Sequence, residues 1–431
     1  RLSAGPRETV QNVSLGRSIS AAWWELFGSA KLNELVRLAL ENNQTLAAAE
    51  ATLAQARADV DVTRGGLFPQ IDGGADVSRR KSSGGGPARN TYSVGPTASY
   101  AVDLFGQVAR RVEQQRAFAD VRTYQLAAAY LALTGDVATT IVTIGSIRLQ
   151  LATIQDIIAD DERNLALVRQ KLNEGKASEL DLLTAQTQLA NDRASLPSLR
   201  QQLSAARHAL SVLTGRFPVQ GVPPDIDLTD LSLPADLPLT VPSELVRQRP
   251  DILAAEADVH VANADVGIAT ADMYPSLTLS GSLGIEAAKL GTLFGAGSVF
   301  WSIAAGLSAP IFHGGALEAR RLSAVEGLRA STATYKQTVL EAFQQVADIL
   351  DALGHDAELV AAERSALDIA NRTLALQRQS YGEGKSDVLQ LLDSQRQYQQ
   401  ARLGYSRALA QRFQDTVQLF VAMGDRKSTR L

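Results

Sequence analysis

Glu174-Gly175-Lys176, followed by Leu182-Leu183 and Gln186, returns as Glu383-Gly384-Lys385, Leu391-Leu392 and Gln395, 209 residues later in a chain of 431. A glycine so placed ends a helix, because it takes the positive φ that a left-handed cap requires. On both sides of each glycine the apolar residues keep a seven-residue step. Val137, Ile144, Leu151, Ile158, Leu165 and Leu172 precede the first, with Ile147, Ile154 and Val168 forming a second series. Val346, Leu353, Val360, Leu367, Leu374 and Tyr381 precede the second, and Leu182, Leu189, Leu196, Leu203 and Leu210 follow the first. A seven-residue apolar repeat specifies left-handed coiled-coil packing rather than a globular core. No proline interrupts the stretch between Pro96 and Pro197 or the chain after Pro310, so long uninterrupted helices are open to both spans. From about Gly106 to Asn173 a helix extends on the order of 100 Å. Two very long helical hairpins are expected, with tips near residues 175 and 384.

The repetition reaches further back. The segment 43–69 aligns without a gap on 249–275, an offset of 206, with Ala49-Glu50-Ala51 returning as Ala255-Glu256-Ala257 and Ala58-Asp59-Val60 as Ala264-Asp265-Val266. Self-similarity of this kind marks a duplicated structural unit. The expected organisation is an N-terminal extended segment (1–22), a first repeat (23–214), a connector (215–248), a second repeat (249–424) and a tail (425–431). The span from Gly215 to Pro250 holds seven of the fourteen prolines and reads as irregular. Each repeat begins with a helix, continues through two strands and ends in a helical hairpin.

The strands, at 70–81, 91–104, 276–287 and 299–311, alternate with period two. Ile71, Gly73, Ala75 and Val77 face one way, and Asp72, Gly74 and Asp76 the other; Leu277, Leu279, Leu283 and Ile285 oppose Thr278, Ser280, Ser282 and Glu286. Ten to thirteen residues with one apolar face suit a tilted membrane strand. The competing reading is a soluble antiparallel sheet, but no other segment offers a layer to cover the apolar face. Four strands do not close a barrel, since membrane barrels begin at eight; two, three or four chains would supply eight, twelve or sixteen. The joining loops, one with Ser82-Ser83-Gly84-Gly85-Gly86, read as external. Arg79-Arg80-Lys81 and Arg89 read as a charged loop or a contact with the anionic outer leaflet.

Composition narrows the class. No run of eighteen apolar residues occurs in a chain that is 45% apolar, which excludes a bundle of membrane helices. A net charge of −4 without a basic stripe excludes nucleic acid as partner. There is no cysteine, so neither a disulfide framework nor a thiolate metal site is available. The four histidines, His208, His260, His313 and His355, stand singly, and the only methionines are Met273 and Met423; no metal site is expected. Catalytic residues and cofactors are likewise expected to be none, since no phosphate loop, nucleophile elbow or catalytic dyad is present. Asp160-Asp161-Glu162 reads as a solvated helix face, with Asp161 interrupting the second heptad series. The chain starts at Arg1 without a leader, which fits either a removed signal peptide or a fragment.

Trp23-Trp24-Glu25-Leu26-Phe27, Ala39-Leu40-Glu41-Asn42-Asn43, Arg249-Pro250-Asp251-Ile252 and Ile311-Phe312-His313-Gly314-Gly315, with the residues that follow to Asp348, resemble the outer-membrane efflux factors, TolC-like proteins of the NodT and OprM type. The resemblance covers residues 23 to 424. It implies a mixed α/β membrane protein: a homotrimer with a twelve-stranded β-barrel, four strands per chain, continued by a long α-helical coiled-coil barrel. It further implies the exit duct of a tripartite efflux pump, conducting small molecules from an inner-membrane transporter of the resistance-nodulation-division (RND) class through a periplasmic adaptor protein. Relatives of this type carry a lipid on an N-terminal cysteine; the expectation is that the anchoring residue precedes Arg1. By the same resemblance Asp393, in a Leu-Leu-Asp run, forms an acidic ring at the periplasmic gate, Leu389 an apolar ring beside it, and Tyr381 a latch between hairpins. The tips are either structural turns or adaptor-docking surfaces, with Gly175, Lys176, Leu180, Gly384, Lys385 and Val388 as candidates. Rival readings are a duct for secreted polypeptides or metal ions and, from another class, a soluble coiled-coil scaffold.

Overall fold

The computed structural model describes residues 11–15, 22–81, 87–218, 225–239 and 242–424. The expected tail, most of the expected N-terminal segment, the Ser82–Gly86 run and part of the connector lie outside the described residues. In chain order the elements are β1 (Asn12–Leu15), α1 (Ala30–Asn42), α2 (Gln44–Gly65), β2 (Gln70–Arg80), β3 (Arg89–Val102), α3 (Gln107–Asn173) and α4 (Glu179–Leu213). They continue with β4 (Asp236–Leu239), α5 (Pro242–Gln248), α6 (Pro250–Ala271), β5 (Ser276–Ala287), β6 (Val299–Ser308), α7 (Ala316–Gly382) and α8 (Val388–Met423).

Two compact units follow from the contacts, and each contains parts of both sequence copies. One takes Glu50–Gln125 and Asp251–Thr338; the other takes Arg1–Ala49, Leu126–Pro250 and Val339–Leu431. The first holds an antiparallel sheet in the order β2-β3-β5-β6. Its register sets Ile71 opposite Ala98, Val77 opposite Tyr92, Tyr100 opposite Leu279 and Leu283 opposite Trp301. One face is therefore apolar up to the Arg79–Asn90 pair at its end, and the other carries Asp72, Asp76, Ser93, Thr97, Ser282 and Ser302. The apolar face is bare: Ile71 is 73%, Trp301 72% and Ile303 81% exposed. That much contiguous apolar surface is incompatible with water and suits lipid. Below the sheet, α3 and α6 are tied by Gln107 donating to Asp272 and Gln114 donating to Asp265. Three strands end earlier than expected, β2 by a single residue at Arg80 and the other two by more. β3 stops at Val102 because Asp103 turns to cap α3, accepting from the Val108 and Ala109 amides at 3.0 and 2.8 Å. β6 stops at Ser308, the last residue that has a partner on β5.

The second unit is built on the hairpins. Val137, Ile144, Ile154, Leu165 and Val168 of α3 and Leu353, Val360, Leu367, Leu374 and Tyr381 of α7 are buried, so the heptad positions form the packed seam. One stretch of α3 is long and apolar enough to cross a bilayer, but more than half of it is buried inside the protein, which marks it as core. α4 runs through Pro197 unbroken. Trp23 stacks on Phe420 with ring centroids 5.5 Å apart, and Phe27 meets both Phe413 and Phe420, which fastens the chain start to the end of α8. The connector is more ordered than its prolines suggest. β4 pairs in parallel with β1, α5 follows, and Asp225 and Asp227 are gripped by Arg148 and Arg207. The first helix of the first copy is two helices, because the Asn43 carboxamide accepts from the amides of Thr45 and Leu46 and starts α2 afresh.

Candidate functional site

The two hairpin tips are built alike. Gly175 and Gly384 have φ of 69° and 74°. At the first, Gly175 N donates to Leu172 O and Lys176 N to Lys171 O; at the second, Gly384 N donates to Tyr381 O and Lys385 N to Ser380 O. This crossed pair of bonds is a Schellman cap, which needs the left-handed residue that glycine provides. The return helices are then capped by side chains. Ser178 Oγ accepts from Asp181 N while Asp181 Oδ2 accepts from Ser178 N, and Asp387 Oδ1 accepts from Gln390 N. Lys176 and Lys385 lie in the open, each paired with the glutamate before its glycine at 2.9 and 2.6 Å. Leu180 is 71% exposed.

Val388 is different, and the docking role expected for it does not hold. It is 4% exposed and packs into a cluster with Leu165 and Val168 of α3, Ala185 and Leu189 of α4, Leu374 and Tyr381 of α7, and Leu391 of α8. Its position at the start of α8 turns it inward, where no partner reaches it. The residue that occupies the outward position of Leu180 in the second copy is Leu389, 209 further on and 56% exposed.

Within that four-helix cluster Tyr381 is held from the first hairpin. The ammonium of Lys171 sits 3.4 Å from the ring centroid and donates to the Tyr381 carbonyl at 2.6 Å. The hold within the chain is thus on the ring face and the main chain. Burial pushes the phenol pKa up, and the Asp181 carboxylate adds to this. Further ties join the same face of α3 to the second hairpin: Asp160 to Arg378 at 2.6 Å, Asp156 to Arg402 at 2.7 Å, and Asn164 and Asp161 to the Gln395 carboxamide. None of these ties follows from the sequence reading, which places Asp160 and Asp161 on a solvated helix face. The available signal was asymmetry between the copies: where α3 carries Asp156, Asp160 and Lys171, the same positions of α7 hold Ser365, Ile369 and Ser380.

Asp393 projects from the second turn of α8, exposed, and is not a bare carboxylate. It accepts from Arg396 Nη2 at 2.5 Å and from Gln397 Nε2 at 2.8 Å. Both partners are one helical turn away, the spacing at which such pairs form on an open helix surface.

Two more carboxyls are buried in the hairpins. Asp161, 3% exposed, meets Asp192 of α4, and its Oδ2 finds no donor among the described residues. Burial, the Asp192 carboxyl and the charges of Asp192 and Asp160 push its pKa up to about 8. Asp356, 7% exposed, meets Asp415 of α8 in the same way, and burial and that carboxyl push its pKa up to about 7 against the opposing charge of Arg412. One proton shared between the two carboxyls supplies the donor that each orphan oxygen lacks. The reading of Asp160-Asp161-Glu162 as a solvated face is corrected accordingly: Asp161 lies in the core.

Comparison with known proteins gives a consistent result. The family described as Outer membrane efflux protein matches residues 35–216 and 241–425. The solvent efflux pump outer membrane protein SrpC of Pseudomonas putida is 30% identical, over 93% of this chain and 86% of that protein. The outer membrane protein OprJ of Pseudomonas aeruginosa is also 30% identical, over 95% and 87%. Among solved structures, the outer-membrane channel OprN superposes with a TM-score of 0.91 at 26% identity, covering 99% of this chain and 98% of that one.

Proposed function

The chain belongs to the outer membrane efflux protein family, ducts of the Gram-negative outer membrane rather than enzymes, and from that premise we propose that it is the trimeric exit channel of a tripartite pump. Three copies of the four-stranded sheet close a twelve-stranded barrel, and the helical hairpins continue it as a tunnel into the periplasm. A periplasmic adaptor protein and an inner-membrane transporter of the RND class complete the pump. The transporter supplies the energy, and small toxic molecules pass through passively. The observation that carries this reading is the sheet itself. It has one apolar face, one polar face and two edge strands, β2 and β6, whose outer sides meet no strand among the described residues. In lipid an open edge leaves backbone groups unpaired at several kcal/mol each, so closure by further copies is required. A location in the outer membrane removes the soluble scaffold from consideration.

At the periplasmic mouth we assign the gate to Tyr381, Leu389 and Asp393, with Lys171 as the residue that keeps Tyr381 in place. Three chains bring three Asp393 carboxylates to the constriction, each partly neutralised by its own Arg396. The ring is then one of alternating charge, weaker in cation preference than three free carboxylates. The tips, with Gly175, Lys176, Leu180, Gly384 and Lys385, are assigned to adaptor docking. The test is single-channel conductance in a planar bilayer, wild type beside Asp393→Ala. Small openings in wild type that widen and shift toward anion preference in the variant, where Arg396 is left alone, support the assignment. Unchanged conductance and selectivity would move the gate elsewhere.

A further inference from the structure

The chain maps onto itself with two constant offsets. α2 and β2 fall on α6 and β5 after 206 residues; β3, α3 and α4 fall on β6, α7 and α8 after 209. Hydrogen-bond register provides a check that the alignment did not use. The first hairpin pairs Gln70 with Ser99, and the offsets carry that pair to Ser276 and Ser308, which are paired in the second hairpin.

Between the two copies the sheet contains one junction, β3 against β5, with Val102 opposite Leu277, Tyr100 opposite Leu279, Ala98 opposite Gly281 and Ser99 opposite Ser280. In a closed ring the remaining kind of junction is β6 of one chain against β2 of the next, and it joins the same two elements in the same order. We infer that this seam repeats the internal junction residue for residue: Ile311 opposite Ile71, Ala309 opposite Gly73, Leu307 opposite Ala75 and, on the other face, Ser308 opposite Gly74. The inference rests on the trimeric reading above and deepens it by fixing the register.

Two features of the single chain support this seam. The derived pairs match in character. Ile311 and Leu307, 96% and 69% exposed, meet Ile71 and Ala75 on the lipid side, while Ser308 meets Gly74 on the lumen side. The early end of β6 is also explained. The β3 residues Tyr100 to Val102 pair only with β5, beyond the reach of β2. Their counterparts, Ala309 to Ile311, have no strand beside them among the described residues; in the ring the next copy's β2 supplies it, and β6 lengthens to match. At the outer end the same register places Arg79 against Ile303, where a long basic stem lies on apolar surface with its head in the headgroup layer.

The absence of cysteine makes the test direct. Directly opposed residues have Cβ atoms about 4.5–5.5 Å apart and those two places along about 7–8 Å, whereas a disulfide needs roughly 3.5–4.5 Å. Chains carrying Leu307→Cys with Ala75→Cys are oxidised in whole cells and run without reductant. The expected result is covalent dimers and trimers at roughly ten times the yield of Leu307→Cys with Gly73→Cys or with Val77→Cys, and none from single variants. Ser308→Cys with Gly74→Cys, against Asp72→Cys and Asp76→Cys, repeats the test on the lumen face should the first set assemble poorly. A lead by either displaced partner overturns the register and leaves the closed barrel standing. No crosslink with any partner on either face overturns the seam and the trimeric barrel together.

Discussion

Asp161 and Asp356 each stand where a coiled coil calls for an apolar residue. Asp161 continues the series of Ile147 and Ile154, and Asp356 follows Ile349 by seven. Each survives in the core by sharing a proton with an aspartate on the neighbouring helix, Asp192 or Asp415. The sign of the pH effect follows. A carboxyl whose pKa rises on folding, here from 3.8 to about 8 for Asp161, holds more protons in the folded chain than in the unfolded one. Its contribution is therefore complete below the unfolded value and is lost as pH climbs through the folded one. Above that point two carboxylates face each other, with Asp160 nearby and, among the described residues, only the Gln395 carboxamide donating to Asp161. The wild-type melting temperature, followed by circular dichroism, should fall between pH 6 and pH 9. Asp161→Asn, whose amide donates to Asp192 at every pH, should flatten that fall and melt higher than wild type at pH 9. Equal pH slopes in the two proteins would mean that Asp161 is not the group responsible.

At the scale of the strand, a close approach sets the limit. A Cβ on Gly95 would stand 2.2 Å from the Leu283 carbonyl oxygen and 2.5 Å from Gly284 Cα, both backbone, whereas a Cβ on Gly281 meets nothing nearer than the Ser302 carbonyl at 3.7 Å. Gly95→Ala should force β3 and β5 apart and abolish assembly of the proposed trimer, read on unheated gels, and Gly281→Ala should leave assembly intact; equal trimer yields would show that the two strands are free to separate. The alternation of Leu277, Leu279 and Leu283 with small polar residues was readable because strand period and burial coincide there. The strand ends were not, because they depend on Asp103 capping α3 and on which residue of β6 still has a β5 partner. The heptads made the hairpins legible for the same reason as the strands. The cross-hairpin ties were hidden, since Lys171, Arg378 and Arg402 look like ordinary surface cations until the fold places a tyrosine ring and two aspartates against them. Val388 misled because one residue of rotation separates the outward Leu389 position from the core.

For the whole molecule, the bilayer selects which surface it covers, and the tryptophans report on it. Trp23 and Trp24 are 1% and 7% exposed, in the unit built on the hairpins, while Trp301 is 72% exposed on the apolar face of the sheet. These three are all the tryptophans in the chain. If the sheet is the membrane wall, lipid chains touch Trp301 and neither of the others. Protein reconstituted in vesicles with brominated acyl chains should lose the Trp301 share of its fluorescence, because heavy-atom quenching needs contact. In Trp301→Phe the remaining emission should be the same in brominated and ordinary lipid. The outcome separates two ways of covering the sheet. Were another protein layer packed on that face, Trp301 would be as shielded as Trp23, and neither wild type nor variant would respond to bromine. Persistent quenching in Trp301→Phe would instead place the Trp23-Trp24 turn in lipid, contrary to its burial against Phe420.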